Sequence, residues 1–330
     1  MPDGPTDRAA IPVIDVAPLI AGDAAGTARI ARQLDRVARD TGFFYIVNHG
    51  IPAELCAAQL DWARRFFAQP QAAKERLHLR HSGCMRGYEG LGAQTLDADA
   101  PPDLKESFLL ARDLGPEHPF VAREVPNYGP NQWPDLPGFQ AQMQAYYDAL
   151  LALELKMMRL LAMALDLPAD HFDPMYDEPM SILRLLHYPP STAAQVAGQP
   201  GAGAHTDWGM LTFLLQDQVG GLEVLTPDSG DAAGRWLPAP PLPGSFVVNI
   251  GDMITRMTNG LYRSTMHRVR VDTGGRDRYS IIFFGEPSHF ARIDILDSCL
   301  GDGLRFDPCT AGEHLVQMQR KTYGLDPVTA

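Results

Sequence analysis

Beyond Pro179 the chain breaks into short apolar runs at close intervals: Ile182–Tyr188, Leu211–Gln216, Leu222–Thr226, Ser245–Ile250, 267–271 and 279–284. Gly, Pro and small polar residues separate them. Runs too short for a buried helix, punctuated in this way, predict strands of a sandwich or barrel. Upstream the texture is mainly helical around one or two strands. Residues 11–14 and 43–47 are strand-like, whereas 27–39 and 54–67 carry helical spacing. From Gly138, the residues Phe139, Met143, Tyr146, Leu150, Leu153, Met157, Leu160 and Ala164 recur in steps of three and four, which predicts one long amphipathic helix stopping near Pro168. Met157, Met158 and Met163 then read as core filler. A last helix, 312–323, is expected across the sheet, and the small-residue stretch 191–204 reads as a mobile loop leading to His205.

Charge narrows the partners. The 330 residues hold 28 Lys plus Arg against 40 Asp plus Glu, a formal charge of −12. Such a chain repels phosphate backbones and anionic membranes, so neither nucleic acid nor a membrane is expected as a partner. No apolar stretch has the length of a membrane span, and the N-terminus lacks the pattern of a secretory signal. Cys56, Cys84, Cys299 and Cys309 are scattered without a CxxC pair, which suits free thiols in a reducing cytoplasm.

The chemistry concentrates in the strand-rich half. His205 and Asp207 stand two apart at the start of a strand-like run, where a period of two directs both side chains to one face. HxD alone is weak: His171 and Asp173 repeat it in a segment that reads as helix-end turn chemistry. His267, on another apolar run, supplies a third donor. Two imidazoles and a carboxylate on one face of a metal leave open positions suited to non-haem Fe(II) oxygen chemistry. Zinc accepts the same donors, but its catalytic sites keep about one open position. Further on, Arg278 and Ser280 point the same way on a strand, so that a guanidinium fork and a hydroxyl can grip one carboxylate. The plain alternative pairs Arg278 with Asp277 or Glu286. Asn249, Gly251 and Asp252 read as a strand end and tight turn.

Taken together, IPVIDVAPL, DTGFFYIVNHGIP and GPNQWP in the first half and LRLLHYPP, GAGAHTDWGMLTFLLQD, GGLEV, GSFVVNIGDMITRMTNG, STMHRV and DRYSIIFF in the second make the chain recognisable. Over nearly its whole length it resembles the isopenicillin N synthase-like branch of Fe(II)/2-oxoglutarate-dependent dioxygenases. The resemblance implies a mainly β fold with flanking helices: a double-stranded β-helix (jelly-roll) barrel core at 179–290, preceded by an N-terminal region of helices and barrel-edge strands at 1–135 and a supporting helix and loop at 136–178, and followed by a C-terminal helical segment at 291–330. It implies iron ligands His205, Asp207 and His267, with Arg278 and Ser280 on the distal carboxylate of 2-oxoglutarate and Tyr188 as a supporting hydroxyl. Many relatives carry Asn-Tyr-Tyr-Pro where this chain has Leu186-His187-Tyr188-Pro189, so one polar contact near the co-substrate is missing.

The implied reaction uses Fe(II), O2 and 2-oxoglutarate to hydroxylate, desaturate or cyclise a small organic molecule, releasing succinate and CO2. Trp208 and Phe284 are candidates for the substrate wall, with Arg86, Tyr88, Lys105 and Glu106 as further candidate substrate contacts. Two other readings stay open. One is a 2-oxoglutarate-independent oxidase in which Arg278 and Ser280 hold the substrate's own carboxylate; the other is a non-catalytic barrel binding a metal or small ligand. The chain contains no GxSxG, Walker-type, HExxH or Rossmann motif, which lowers the standing of hydrolase, phosphate-loop and zincin chemistry. The oligomeric state is not fixed by these features.

Overall fold

A computed structural model describes residues 10–97, 101–191, 200–226, 234–270, 273–301 and 303–323. Of the expected loop at 191–204, residues 192–199 lie outside the described residues, as do 271–272 beside the expected run at 267–271.

The strand-rich half forms two facing sheets. Its strands are β5 (Ile182–Tyr188), β6 (Ala202–His205), β7 (Leu211–Gln216), β8 (Leu222–Thr226), β9 (Arg235–Pro238), β10 (Ser245–Ile250), β11 (His267–Val269) and β12 (Arg278–Gly285). The first part contributes β1 (Val13–Asp15), β2 (Phe43–Val47), β3 (Gly87–Glu89) and β4 (Glu106–Leu110). The major sheet has the order β1-β2-β10-β7-β12-β5-β4-β3, and the minor sheet β6-β11-β8-β9. Most neighbours are non-consecutive, and all but β1-β2 are antiparallel, the wiring of a jelly roll with helices outside it. The first strand begins at Val13 rather than Ile11, after Pro12, which has no N–H to donate but accepts from the Tyr45 amide at 2.8 Å.

Both faces of the major sheet are buried, so its strands read as continuous apolar runs. On β2, Phe43 and Tyr45 point between the sheets with Leu186, Leu214, Val224 and Val247. The alternate residues Phe44 and Ile46 join Phe213, Val248, Ile281 and Phe283 under the helices. Those helices are α1 (Ala17–Ala21), α2 (Ala24–Asp40), α3 (Ala53–Phe67), α4 (Gln71–Glu75), α5 (Pro119–Ala122) and α6 (Phe139–Ala164). A short α7 (Asp252–Met257) follows β10, and β13 (Arg292–Ile293) pairs with β14 (Cys309–Thr310) ahead of α8 (Ala311–Tyr323).

α2 starts where the Asp23 side chain accepts from the Ala25 amide, a typical N-cap. α6 is the main outer support: Tyr146, Leu150, Leu153, Met157, Met158 and Leu160 are all buried in the core beneath it, with Met163 packed against the same cluster. Each such burial contributes about 1.5–3 kcal/mol. Among the described residues, no helix is long and apolar enough to cross a membrane.

Candidate active site

Pairing of β6 with β11 sets the two histidines side by side. His205 and His267 are direct cross-strand partners, with ring centroids 4.3 Å apart. Each Nε2 lies 3.7 Å from Asp207 Oδ1, and one donor atom from each of the three residues fits within a 4.8 Å span. The far ring nitrogens are committed elsewhere: His205 Nδ1 donates to the Gly203 carbonyl at 2.7 Å and His267 Nδ1 to the Thr265 carbonyl at 3.2 Å. That tautomer leaves both Nε2 lone pairs facing the centre. Burial and the adjacent His267 push His205 well below the usual imidazole range, which keeps it neutral and ready to ligate. Asn249 Nδ2 donates to Asp207 Oδ2 at 2.9 Å, while Oδ1 is the oxygen that stands beside both imidazoles. Burial alone would raise Asp207, but the imidazoles, Asn249 and Thr212 together hold it low.

The period-two expectation for this pair is corrected. His205 is the last residue of β6, and Asp207 lies beyond it in a connection without ladder pairing. The connection is instead fixed by the Asp252 amide donating to the Asp207 carbonyl at 2.8 Å and by Thr206 Oγ1 on Asp252. Gly209 follows because the chain crosses against β12: a Cβ there would sit 2.5 Å from the Gly285 carbonyl oxygen.

Along the same cavity, Arg278 is only 1% exposed. Its Nε donates to the Gly220 carbonyl, Nη1 reaches Ser280 Oγ at 3.4 Å, and the guanidinium lies 4.6 Å from the ring centroid of its cross-strand partner Tyr188. Nη2 has no hydrogen-bond partner among the described residues. The pairing with Asp277 or Glu286 does not occur: Asp277 accepts from His187 Nε2 at 2.7 Å, and Glu286 stands at the opposite end of the inward row of β12. A buried cation with the N–H groups of Nη2 unspent is costly unless an anion fills the gap, so the site fits a ligand carboxylate. Leu186 faces Ser280 across the ladder and presents an apolar wall to the cavity.

Trp208, Phe284 and Lys105 line this cavity. Arg86 and Tyr88 do not, and their assignment as substrate contacts is corrected. Arg86 is spent on the carbonyls of Cys84 and Asn127 at 2.9 and 2.7 Å. The Tyr88 hydroxyl donates to Glu106 at 2.6 Å, within a buried cluster that also holds Lys74 and His187. Glu106 therefore faces away from the cavity while its neighbour Lys105 faces in, paired with Asp103. The second HxD is structural: Asp173 takes Arg159 at 2.7 Å, and the His171 ring packs on Phe172.

Sequence reasoning missed several cavity residues. Arg184 shares the inward face of β5 with Leu186 and Tyr188, and its Nη2 reaches Glu89 at 2.6 Å and both Gln94 and Ser107 at 3.0 Å. Its parity with Tyr188 was the available signal. Glu286 continues the alternation Ser280, Ile282, Phe284. Gln319, on α8, reaches the cavity from the C-terminal end.

Comparison with known proteins agrees with this geometry. The family model described as non-haem dioxygenase in morphine synthesis N-terminal matches residues 11–136, and that of the 2OG-Fe(II) oxygenase superfamily matches 179–287. The chain is 37% identical over 323 residues to the 2-oxoglutarate-Fe(II) type oxidoreductase hxnY of Emericella nidulans, covering 95% of this chain and 90% of the relative. It is 38% identical to a 2-oxoglutarate-dependent dioxygenase of Didymella fabae, covering 98% and 99%. Among solved structures, a full-length Neurospora crassa protein in complex with alpha-KG superposes with a TM-score of 0.84 at 29% identity, covering 96% and 97%. Two matched family segments, relatives aligned from end to end and the shared fold carry one conclusion: the chain belongs to the 2OG-Fe(II) oxygenase superfamily.

Proposed function

We propose that His205 Nε2, Asp207 Oδ1 and His267 Nε2 hold Fe(II), that Arg278, Ser280 and Tyr188 seat the distal carboxylate of 2-oxoglutarate, and that the protein oxidises a small organic molecule by hydroxylation, desaturation or cyclisation. The observation that carries this is the unpartnered Arg278 Nη2, buried in the cavity that the His-Asp-His cluster also lines. When bound, the iron and its keto acid supply O2 activation, with 2-oxoglutarate ending as succinate and CO2.

The chain's own residues place and shield. The two Nδ1 hydrogen bonds fix the imidazoles, Asn249 fixes the carboxylate rotamer, and the Tyr188 ring backs the guanidinium. Trp208, Phe284 and Leu186 make the adjoining walls apolar and exclude water, which strengthens every polar contact inside. The relatives named as 2-oxoglutarate-dependent enzymes, and the Neurospora crassa structure with alpha-KG, support co-substrate use over the oxidase alternative.

The test is O2 consumption and succinate release by the Fe(II)-loaded protein. Both are expected to require 2-oxoglutarate and to vanish in His267→Ala. Oxygen uptake with a substrate but without 2-oxoglutarate would instead establish the oxidase reading.

A further inference from the structure

The inward face of β12 runs Arg278, Ser280, Ile282 and Phe284, and Glu286 follows just past the strand's end, all five lining one cavity. Positions along this row can be assigned. Arg278 marks the anion end, and Phe284 pairs across the ladder with Thr212, which hydrogen-bonds Asp207. Phe284 is thus level with the metal ligands, and Glu286 lies past them on the side away from Arg278. The co-substrate occupies the stretch between Arg278 and the metal; the primary substrate is left the stretch toward Glu286.

Glu286 is 4% exposed, and its Oε2 has no hydrogen-bond partner among the described residues. The other charged groups facing the cavity have assignments: Lys105 is paired with Asp103, Arg184 with Glu89, Asp207 and the two histidines with the metal, and Arg278 with the co-substrate. Arg86 lies within the field of Glu286 and keeps its Nε without a hydrogen-bond partner among the described residues, but its two Nη atoms go to backbone carbonyls and neither a hydrogen bond nor an ion pair joins it to Glu286. The buried carboxyl oxygen is therefore an acceptor waiting for a donor, since leaving it unpaired costs more than a typical hydrogen bond returns.

Resting on the co-substrate assignment above, we infer that Glu286 anchors the primary substrate, and that this substrate carries a basic nitrogen on a largely apolar body. The nitrogen donates to Glu286 while the body lies against Trp208 and Phe284, which holds a C–H bond of the body toward the metal. Burial pushes the empty carboxyl up to about 8, with Arg86 pulling it back; a facing cation restores the carboxylate and gains a charge-assisted hydrogen bond.

The experiment uses the Fe(II)-loaded full chain, saturated with 2-oxoglutarate under anaerobic conditions. Phenethylamine is titrated beside 2-phenylethanol and 3-phenylpropionate, and hexylamine beside hexanol, following perturbation of the visible band of the iron-bound keto acid. The amines are expected to bind about 10- to 100-fold more tightly than the matched alcohols, the range for a hydrogen bond to a charged group. In Glu286→Gln that preference is expected to collapse, with the 2-oxoglutarate titration as the control for a folded site. Amines no tighter than the alcohols in the wild type, or a preference that survives Glu286→Gln, overturns the inference. Absence of the keto-acid band in the wild type overturns the co-substrate reading instead.

Discussion

Asn249 shows how one side chain decides what a ligand can do. By binding Asp207 Oδ2 it helps hold Oδ1 at 3.7 Å from both imidazole nitrogens. Asn249→Ala is expected to weaken Fe(II) binding about 10- to 100-fold, the usual cost of losing a group that orients a ligand. Competition against a fluorescent chelator measures this; unchanged affinity would show that Asp207 holds its rotamer unaided. That His205, Asp207 and His267 gather was legible because His267 adds a third donor to an HxD pair that alone would be weak. Asn249 was not, since an Asn followed by Gly-Asp reads equally well as a turn, and only the register Asn249 to Thr212 reveals that it faces Asp207. Arg86 and Tyr88 misled for the opposite reason: polar residues in a family-like segment say nothing of which way they face, Arg86 just before a three-residue strand and Tyr88 at its centre.

At the scale of elements, β12 is pinned from outside as well as within. Glu154 of α6, fully buried, accepts from the Tyr176 hydroxyl at 2.7 Å and Ser181 Oγ at 3.1 Å, directly under Gly285, where a Cβ would collide with its carboxylate. Gly285→Ala is expected to cost about 1–3 kcal/mol, the range for overpacking, seen as a lower urea midpoint with the slope unchanged. A midpoint equal to wild type would mean that α6 yields freely. Burial pushes Glu154 up to about 8, above its value in the unfolded chain. The folded state therefore binds more protons between about pH 4.5 and 8, and this group's contribution to stability falls as pH rises through that window. Glu154→Gln should flatten the decline in denaturation midpoint across the window; an unaltered slope would assign it to other groups. The expected strands Ile182–Tyr188, Leu211–Gln216, Leu222–Thr226 and Ser245–Ile250 match observed elements because each is an apolar run between turn residues. Ala202–His205 escaped notice because Ala-Gly-Ala-His has no β-branched or large apolar residue, and its pairing comes from β11 rather than from local preference.

For the molecule as a whole, the two apolar layers divide the work: the outer one carries the helices, and the inner one shapes the cavity. The net charge of −12 gave no hint of a buried Arg278 whose Nη2 lacks a hydrogen-bond partner among the described residues. Because a ligand held there binds only the folded chain, 2-oxoglutarate at 100 times its dissociation constant should stabilise the Fe(II) protein by about 2.7 kcal/mol. For a chain of this size that is roughly 4 °C in Tm. A chelator should abolish most of the shift; a full shift in metal-free protein would place the keto acid elsewhere. The most direct test of the site is an anaerobic titration of Fe(II)-loaded protein with 2-oxoglutarate, followed in the visible spectrum and repeated with Arg278→Leu. A metal-to-ligand charge-transfer band is expected in the wild type, with half-saturation moved to much higher concentration in the variant. Iron bound without any band, or a titration indifferent to Arg278→Leu, would contradict the assignment of Arg278 as the co-substrate's anchor.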